Sequence, residues 1–224
     1  MDNPSSAFYA EEYDTQIKQV LPYYEDFFHQ AVDIVSVLGK EKLFWLDVGC
    51  GTGKMAETAM KNLNIDRFVF CDNSLEMLET VRRKFPLPKA EFLLKPAQEL
   101  TYANEFDVIT AIQVNHYLQQ KERIAAIKNY YRALKNGGIF ISFDNFAPLS
   151  PQGKEILLKR WKKYQINSGR SPQESQTHID RYGTAYFPIT IPEHLEILHQ
   201  CGFETAEVIW VSCMQAGFLG IKQQ

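Results

Sequence analysis

Asp47-Val48-Gly49-Cys50-Gly51-Thr52-Gly53 is the stretch on which the reading of this chain turns. A short apolar strand, Lys42-Leu43-Phe44-Trp45-Leu46, leads into it. A helical pattern with Met55, Ala56, Ala59, Met60 and Leu63 on one side leads out. Glycine accepts positive φ and lets a ligand lie against bare backbone, so three alternate glycines between strand and helix mark a binding turn. The helix start behind them offers N–H groups that have no partner within the helix. The next strand, Arg67-Phe68-Val69-Phe70-Cys71-Asp72, closes on an acid. Asp72 stands at roughly the 20-residue distance from the turn expected of a carboxylate that grips ribose hydroxyls. Together these features predict an adenosine-type ligand at the carboxyl ends of the first two strands.

Outward from the turn, strands and helices keep alternating. Ser74 is placed to cap a helix that opens with Leu75-Glu76-Met77-Leu78. Residues 91–95 and 106–112 read as third and fourth strands, with a helix over 121–134 that ends at Asn136-Gly137-Gly138 and a fifth strand over 139–143. Near-continuous apolar strands alternating with helices predict a parallel sheet covered on both faces. After a helix at 192–200, strands at 205–211 and 215–222 are joined only by Ser212-Cys213-Met214. A parallel crossover needs a dozen residues or more, so these two strands must be antiparallel neighbours.

Two segments lie outside the alternation. Residues 5–38 form a helical pair divided at Pro22 and ended by Gly39, and 147–190 hold a polar helix over 151–166 and a Ser/Gln/Arg-rich connection. The fold class is therefore α/β: a doubly wound, mostly parallel seven-stranded sheet with a C-terminal antiparallel hairpin, plus helical lid segments. A chain of 224 residues suits one domain. It divides into an N-terminal helical lid (1–40), a ligand-binding core (41–146), a lid insertion (147–190) and a closing helix and hairpin (191–224).

Three ligand classes compete for the turn. A P-loop needs G-x-x-x-x-G-K-[ST], but Gly49 to Gly53 enclose too few residues and Lys54 is followed by Met55. A dinucleotide turn needs G-x-G-x-x-G, against the G-x-G-x-G found here after an acid. Tyr117-Leu118-Gln119-Gln120-Lys121 imitates the Y-x-x-x-K pair of short-chain dehydrogenases, but the glycine spacing and the closing hairpin do not belong with it. The turn with Asp47, the acid Asp72, Phe106-Asp107-Val108-Ile109 and Leu134-Lys135-Asn136-Gly137-Gly138, in this order, resembles the class I S-adenosylmethionine (SAM)-dependent methyltransferases. The likeness is close over residues 43–145, and the hairpin resembles that family's reversed last strand.

The resemblance implies SAM as cofactor and a place for each of its parts. Gly49, Cys50, Gly51, Gly53 and neighbouring backbone would face the methionine part, with Asp47 holding its ammonium group. Asp72 would accept from the ribose, and Asn73 and Met77 would flank the adenine. Where the family commonly carries an acid followed by Ala, Pro96 takes the acidic place, leaving Ala97 N–H and the Gln98 side chain to the adenine edge. Gln113 would back the sulfonium.

Methyl transfer is an in-line displacement on an already electrophilic carbon, so the protein chiefly aligns the partners and excludes water. A base is needed only where the acceptor must lose a proton. His116, after the fourth strand, is the catalytic candidate, because its ordinary pKa suits proton removal near neutrality. His116, Asp144 and Asn145 are candidate substrate contacts, and Tyr9 and Tyr13 are placed to close over SAM and its acceptor. His194 and His199 are five apart, without the H-E-x-x-H pattern, so no metal site is predicted.

Composition narrows the partners. The formal net charge of −3 disfavours a protein built to hold nucleic acid, although Lys154, Lys159, Arg160, Lys162 and Lys163 keep an anionic acceptor or a tRNA contact open. No stretch is apolar enough to span a membrane, no basic-then-apolar leader follows Met1, and four scattered cysteines form no C-x-x-C pair. Cytoplasm is expected, and a monomer or homodimer. The expected activity is methyl transfer to an O, N or S atom of a small molecule. The alternatives are an enzyme related to carboxy-SAM synthase, serving tRNA modification, or a SAM-binding module without catalysis.

Overall fold

Alternate residues of each inner strand feed two different cores, which is why the strands read as continuous apolar runs. In β1 (Leu43–Val48), Leu43 and Trp45 join one core while Leu46 and Val48 join the other. β4 (Phe106–Ile112) divides likewise, with Val108 and Ile112 on one side and Ile109 and Ala111 on the other. The computed structural model describes Phe8, residues 10–85 and residues 90–223.

Among the described residues, seven strands lie in the order β3-β2-β1-β4-β5-β7-β6. The remaining strands are β2 (Ile65–Asp72), β3 (Ala90–Leu94), β5 (Leu134–Asn145), β6 (Thr205–Ser212) and β7 (Gln215–Ile221). β7 runs antiparallel to both its neighbours, and the other pairs are parallel. The doubly wound, mostly parallel sheet with a closing hairpin is thus the observed one. Strand order reverses between β1 and β4, and at such a switch point the carboxyl ends part to leave a crevice.

Helices α2 (Tyr24–Ser36), α3 (Lys54–Asn62) and α4 (Leu75–Lys84) fill the first core, joined by residues of α1 (Ala10–Val20), α6 (Pro151–Asn167) and α7 (Pro172–Ile179). Helices α5 (Gln120–Ala133) and α8 (Ile191–Gln200) fill the second. Trp161 Nε1 donates to Val20 O at 2.7 Å and the Tyr164 hydroxyl to Lys18 O at 2.9 Å, so the two segments outside the alternation are tied to each other.

Two expectations need correction. The 121–134 helix stops at Ala133, and Leu134 already pairs with Phe106, so Asn136-Gly137-Gly138 lies inside β5 rather than in a turn before it. The reason is local crowding and pairing. A β-carbon on Gly138 would press on Lys135 O at 2.8 Å and Phe106 O at 3.0 Å, and Gly137 N–H donates to Lys222 O at 2.8 Å. Second, the polar connection after α6 contains a helix, α7. Ser171 and Glu174 form its capping box, with Ser171 N–H donating to Glu174 Oε2 at 2.8 Å and Glu174 N–H to Ser171 Oγ at 3.2 Å.

Gly217 shows how tightly the hairpin closes the sheet. It pairs with Phe143 on one side and Trp210 on the other; Phe143 stacks on Phe27 at 5.1 Å between centroids, and Trp210 meets Phe27 edge-on at 5.3 Å. A β-carbon at Gly217 would enter the Phe143 ring, with Cζ only 2.7 Å away. Gly217→Ala is expected to destabilise the fold by about 1–3 kcal/mol through overpacking, read as a lower urea midpoint with an unchanged m-value.

Candidate active site

The glycine turn takes the backbone shape that its sequence requires. Gly49, Gly51 and Gly53 have φ of +64°, +51° and +85°, a region that side chains disfavour. Gly53 also lies where a β-carbon would meet Val81 and Phe85, so it serves packing, whereas Gly51 has open space around it. The turn is held from β2: Gly51 N–H donates to Asp72 Oδ2 at 3.0 Å, and Ser74 N–H to Asp72 Oδ1 at 2.9 Å. Burial pushes the Asp72 carboxyl above its ordinary range, and N–H donors from Gly51, Ser74 and Asn73 partly offset that. Ser74 caps α4 as predicted, accepting from Met77 N–H at 3.4 Å.

A cavity opens against this turn. Gly49, Gly51, Asp72, Asn73 and Met77 line one part of it, and Ala97, Gln98, Gln113 and Tyr13 line the rest. Nine residues singled out in the sequence thus converge from five separate segments. The sequence reading missed Val48, Lys95, Ile112, Val114, Leu118 and Glu122, which line it too, and treated Tyr117 only as part of a false dehydrogenase pattern. Glu122 had a signal: with Gln119 it forms the capping box that starts α5.

Asp47 and Cys50 do not line the cavity; both are buried beside it. Asp47 Oδ1 accepts from the Thr110 hydroxyl at 2.7 Å, and that hydroxyl accepts from Trp45 Nε1 at 2.9 Å. Asp47 Oδ2 is buried without a partner. Burial pushes this carboxyl up to about 7, against the pull of the Thr110 hydrogen bond and with a further push from Asp72. Gln98 Oε1 is likewise buried and unpartnered, at the opposite part of the site. Two orphaned acceptors, Asp47 Oδ2 and Gln98 Oε1, and an open Gly51 suit a ligand with a cation at one end and donors at the other. SAM has its ammonium and its adenine amine, so the residues fit that cofactor.

His116 is placed differently from what its pKa suggested. It is 2% exposed, does not line the cavity, and has both ring nitrogens engaged. Asp144 Oδ1 accepts backbone N–H groups from Val114 at 3.0 Å and His116 at 3.3 Å, and Oδ2 accepts from Asn115 Nδ2 at 2.9 Å. A carboxylate surrounded by donors must also accept from His116 Nδ1, which stands 2.9 Å away. His116 Nε2 is then the acceptor for Asn145 Nδ2 at 3.3 Å, and the same amide nitrogen reaches Gln113 Oε1 at 3.3 Å. Asn145 Oδ1 in turn accepts from Gln215 Nε2 at 3.0 Å. His116, Asp144 and Asn145 therefore form one interior relay. It meets the cavity at Gln113, whose positive φ of 60° is held by its N–H donating to Phe143 O at 2.7 Å.

On the other side, α1 brings Tyr13 into the cavity. The Asp14 carboxylate accepts from the Thr52 hydroxyl at 2.6 Å, which ties α1 to the glycine turn. Burial pushes the Tyr13 phenol well up, and Tyr117 adds to this; the Tyr13 hydroxyl also bonds that of Tyr24. The Tyr117 hydroxyl bonds the Arg181 side chain. Tyr9 lies outside the described residues. His178 is pushed down to about 3, first by burial and then by the Arg181 and Arg170 guanidiniums. On α6, Lys159 pairs with Glu155 and Lys162 donates to Gln176, while Arg160 and Lys163 face outward. No group of three or more His, Cys, Asp or Glu among the described residues is arranged to hold a metal.

A family model described as a methyltransferase domain matches residues 46–138, the span from the glycine turn to the start of β5. A carboxy-S-adenosyl-L-methionine synthase from Nautilia profundicola is 24% identical over 216 residues, covering 95% of this chain and 92% of that one. A malonyl-[acyl-carrier protein] O-methyltransferase from Haemophilus ducreyi is 29% identical over 130 residues, 55% of this chain and 49% of that one. The solved magnesium protoporphyrin IX methyltransferase of Synechocystis PCC 6803, with bound SAH, superposes with a TM-score of 0.64 at 15% identity, over 92% of this chain and 86% of that one. That family match, laid over this turn and this strand order, makes residues 46–138 a methyltransferase domain of the SAM-dependent kind.

Proposed function

We propose that this methyltransferase passes the methyl group of SAM to an oxygen, nitrogen or sulfur atom of a small molecule bound under α1, α6 and α7. The observation that carries this reading is the wall of phenols at the cavity: Tyr13 from α1 and Tyr117 after β4, with Asp14 tying α1 down on Thr52. Such a wall leaves room for a compact acceptor and keeps water out of the transfer. SAM, when bound, supplies the electrophilic methyl. The chain's own residues bind and orient: Asp72 accepts from the ribose with its remaining lone pairs, Ala97 N–H and Gln98 hold the adenine edge beside Asn73 and Met77, and Gln113 stands toward the sulfonium. Asp47 draws the ammonium through its unpartnered oxygen. His116 acts through the relay that shapes Gln113 to Tyr117. In this reading α1, α6 and α7 serve as the lid of one domain, the enzyme works in the cytoplasm with its thiols free, and nucleic acid is not its partner.

A second reading, carboxy-SAM synthesis or another use of SAM, is favoured by one finding: the Nautilia relative matches nearly end to end. The Arg181–Tyr117 contact supports it, since a guanidinium beside the cavity suits an extra carboxylate. Calorimetry and mass spectrometry separate the readings. Binding of SAM and SAH with release of SAH and a methylated product supports methyl transfer, and carboxy-SAM recovered from the purified protein supports the alternative. No binding of SAM or SAH at submillimolar concentration overturns both.

Two residue-level outcomes are expected. Asp72→Asn weakens SAM binding by about ten- to a hundredfold, the loss of a charged acceptor worth about 1.5–3 kcal/mol, measured by calorimetry. Asp47 makes SAM binding release a proton. With its carboxyl at about 7 in the free protein, an ammonium that selects the ionised form expels about half a proton at pH 7, more at pH 6 and almost none at pH 8.5. Calorimetry in buffers of different ionisation enthalpy should show this, and Asp47→Asn should abolish it. By the same linkage, Asp47 lowers stability as pH rises from its ordinary 3.8 to about 7, because only the folded state keeps the proton over that range.

A further inference from the structure

Gln113 is the point at which the interior relay reaches the cofactor cavity: it lines that cavity and keeps 9% of its surface exposed. The relay decides which end of its amide points where. Asp144 accepts from the N–H groups of Val114 and His116 and from Asn115 Nδ2, so His116 Nδ1 beside it must donate and Nε2 must accept. Asn145 Nδ2 then supplies one hydrogen to His116 Nε2 and the other to Gln113 Oε1, both at 3.3 Å. Asn145 Oδ1 is engaged as well, accepting from Gln215 Nε2 at 3.0 Å.

The backbone fixes the same amide from the other side. Gln113 Nε2 donates to Phe143 O at 3.2 Å, and a carbonyl oxygen can only accept. Turning the Gln113 amide over would set two nitrogens face to face at Asn145 and two oxygens face to face at Phe143. Two separate partners therefore demand one orientation. In it, Oε1 keeps one lone pair and Nε2 keeps one N–H, and these are what the side chain has left for the cavity.

We infer that Asn145 is a positioning residue. Through Gln113 it holds a carbonyl oxygen against the sulfonium, and so raises affinity for SAM relative to SAH. This rests on the methyl-transfer reading, in which Gln113 stands toward the sulfonium. A sulfonium is a cation with no N–H or O–H to donate, so it gains from a fixed lone pair and nothing from an N–H. SAH carries a neutral thioether at the same place and gains little from either. In a site shielded from water, a fixed dipole facing a charge counts for more than it does in solution. The same bias lets the neutral product leave more readily than the cofactor.

Calorimetry with SAM and with SAH on the full chain tests this through the ratio of the two affinities, which cancels the ammonium, ribose and adenine contacts that both ligands share. Asn145→Ala is expected to lower the SAM-to-SAH affinity ratio by about three- to tenfold, the worth of one hydrogen bond's orientation. Gln113→Leu should lower it at least as far, and adding Asn145→Ala to Gln113→Leu should change the ratio no further. A residue that merely supports the fold would weaken both ligands together and leave the ratio in place. If Asn145→Ala does not fold, Gln113→Leu and nitrogen-15 NMR of His116 in the native chain decide: the ratio must fall, and Nδ1 rather than Nε2 must carry the ring proton. The proposal is overturned if the ratio is unmoved by Asn145→Ala or by Gln113→Leu, if Asn145→Ala lowers it equally in the Gln113→Leu background, or if Nε2 carries the proton. Binding of SAM and SAH with an unmoved ratio overturns this positioning role alone, whereas no binding of either overturns the methyl-transfer reading with it.

Discussion

The site depends on one contact between residues far apart in the chain: the Asp72 carboxylate and the Gly51 N–H, 3.0 Å apart. Three glycines at positive φ have lost more conformational freedom than other residues would, and the one bond within the turn, Gly53 N–H to Cys50 O at 2.9 Å, is joined by this contact in holding them. Parallel pairing of β1 with β2 sets Val48 beside Cys71, so the acid one residue further on meets the turn. With its other oxygen Asp72 holds Ser74, and Ser74 starts α4. One buried carboxylate thus fixes the glycine turn and the entry to the next helix while keeping lone pairs for a ligand. Its burial disfavours the charge, and the N–H groups around it are what make the charge tolerable.

A second buried carboxylate organises the opposite side. Asp144 gathers the segment after β4 around itself, and the direction of each hydrogen bond from there to Gln215 follows from its being an acceptor. An interior network of this kind specifies one arrangement, because a flipped amide within it would set donor against donor. His116 belongs to that network, which gives it an architectural task where its chemistry alone suggested a base. The two carboxylates meet the cavity from different strands, one at the turn and one through Gln113.

Much of the fold was legible because it rests on local rules. The strand runs, the cap at Ser74, the break near Pro22 and the short link between β6 and β7 are each set by a few neighbouring residues. α7 was legible only in its capping box, since its eight residues carry one large apolar side chain, Ile179, and so show no apolar period. The end of α5 was misread for a different reason: Asn136-Gly137-Gly138 has turn composition, but pairing of Leu134 with Phe106 draws it into β5. Long-range pairing overrode local preference there.

For the site, the sequence by itself determined the kind of ligand. The glycine turn and Asp72 point to a nucleoside cofactor because their spacing is tied to backbone geometry, and the family resemblance adds the residues around 96–98. Tertiary structure alone decided which candidates share the cavity and which lie behind it. Asp47 sits beside the cavity with one oxygen unpartnered, and His116 and Asn145 are spent on each other. It also decided that Tyr117 and Glu122 stand at the wall and that Gln215 closes the relay begun at Asp144. Side-chain type says what a group is able to do; whether it is free to do so depends on neighbours that sequence separation conceals. A carboxylate, imidazole or amide buried in a folded chain takes its role from whichever donors and acceptors the sheet brings against it.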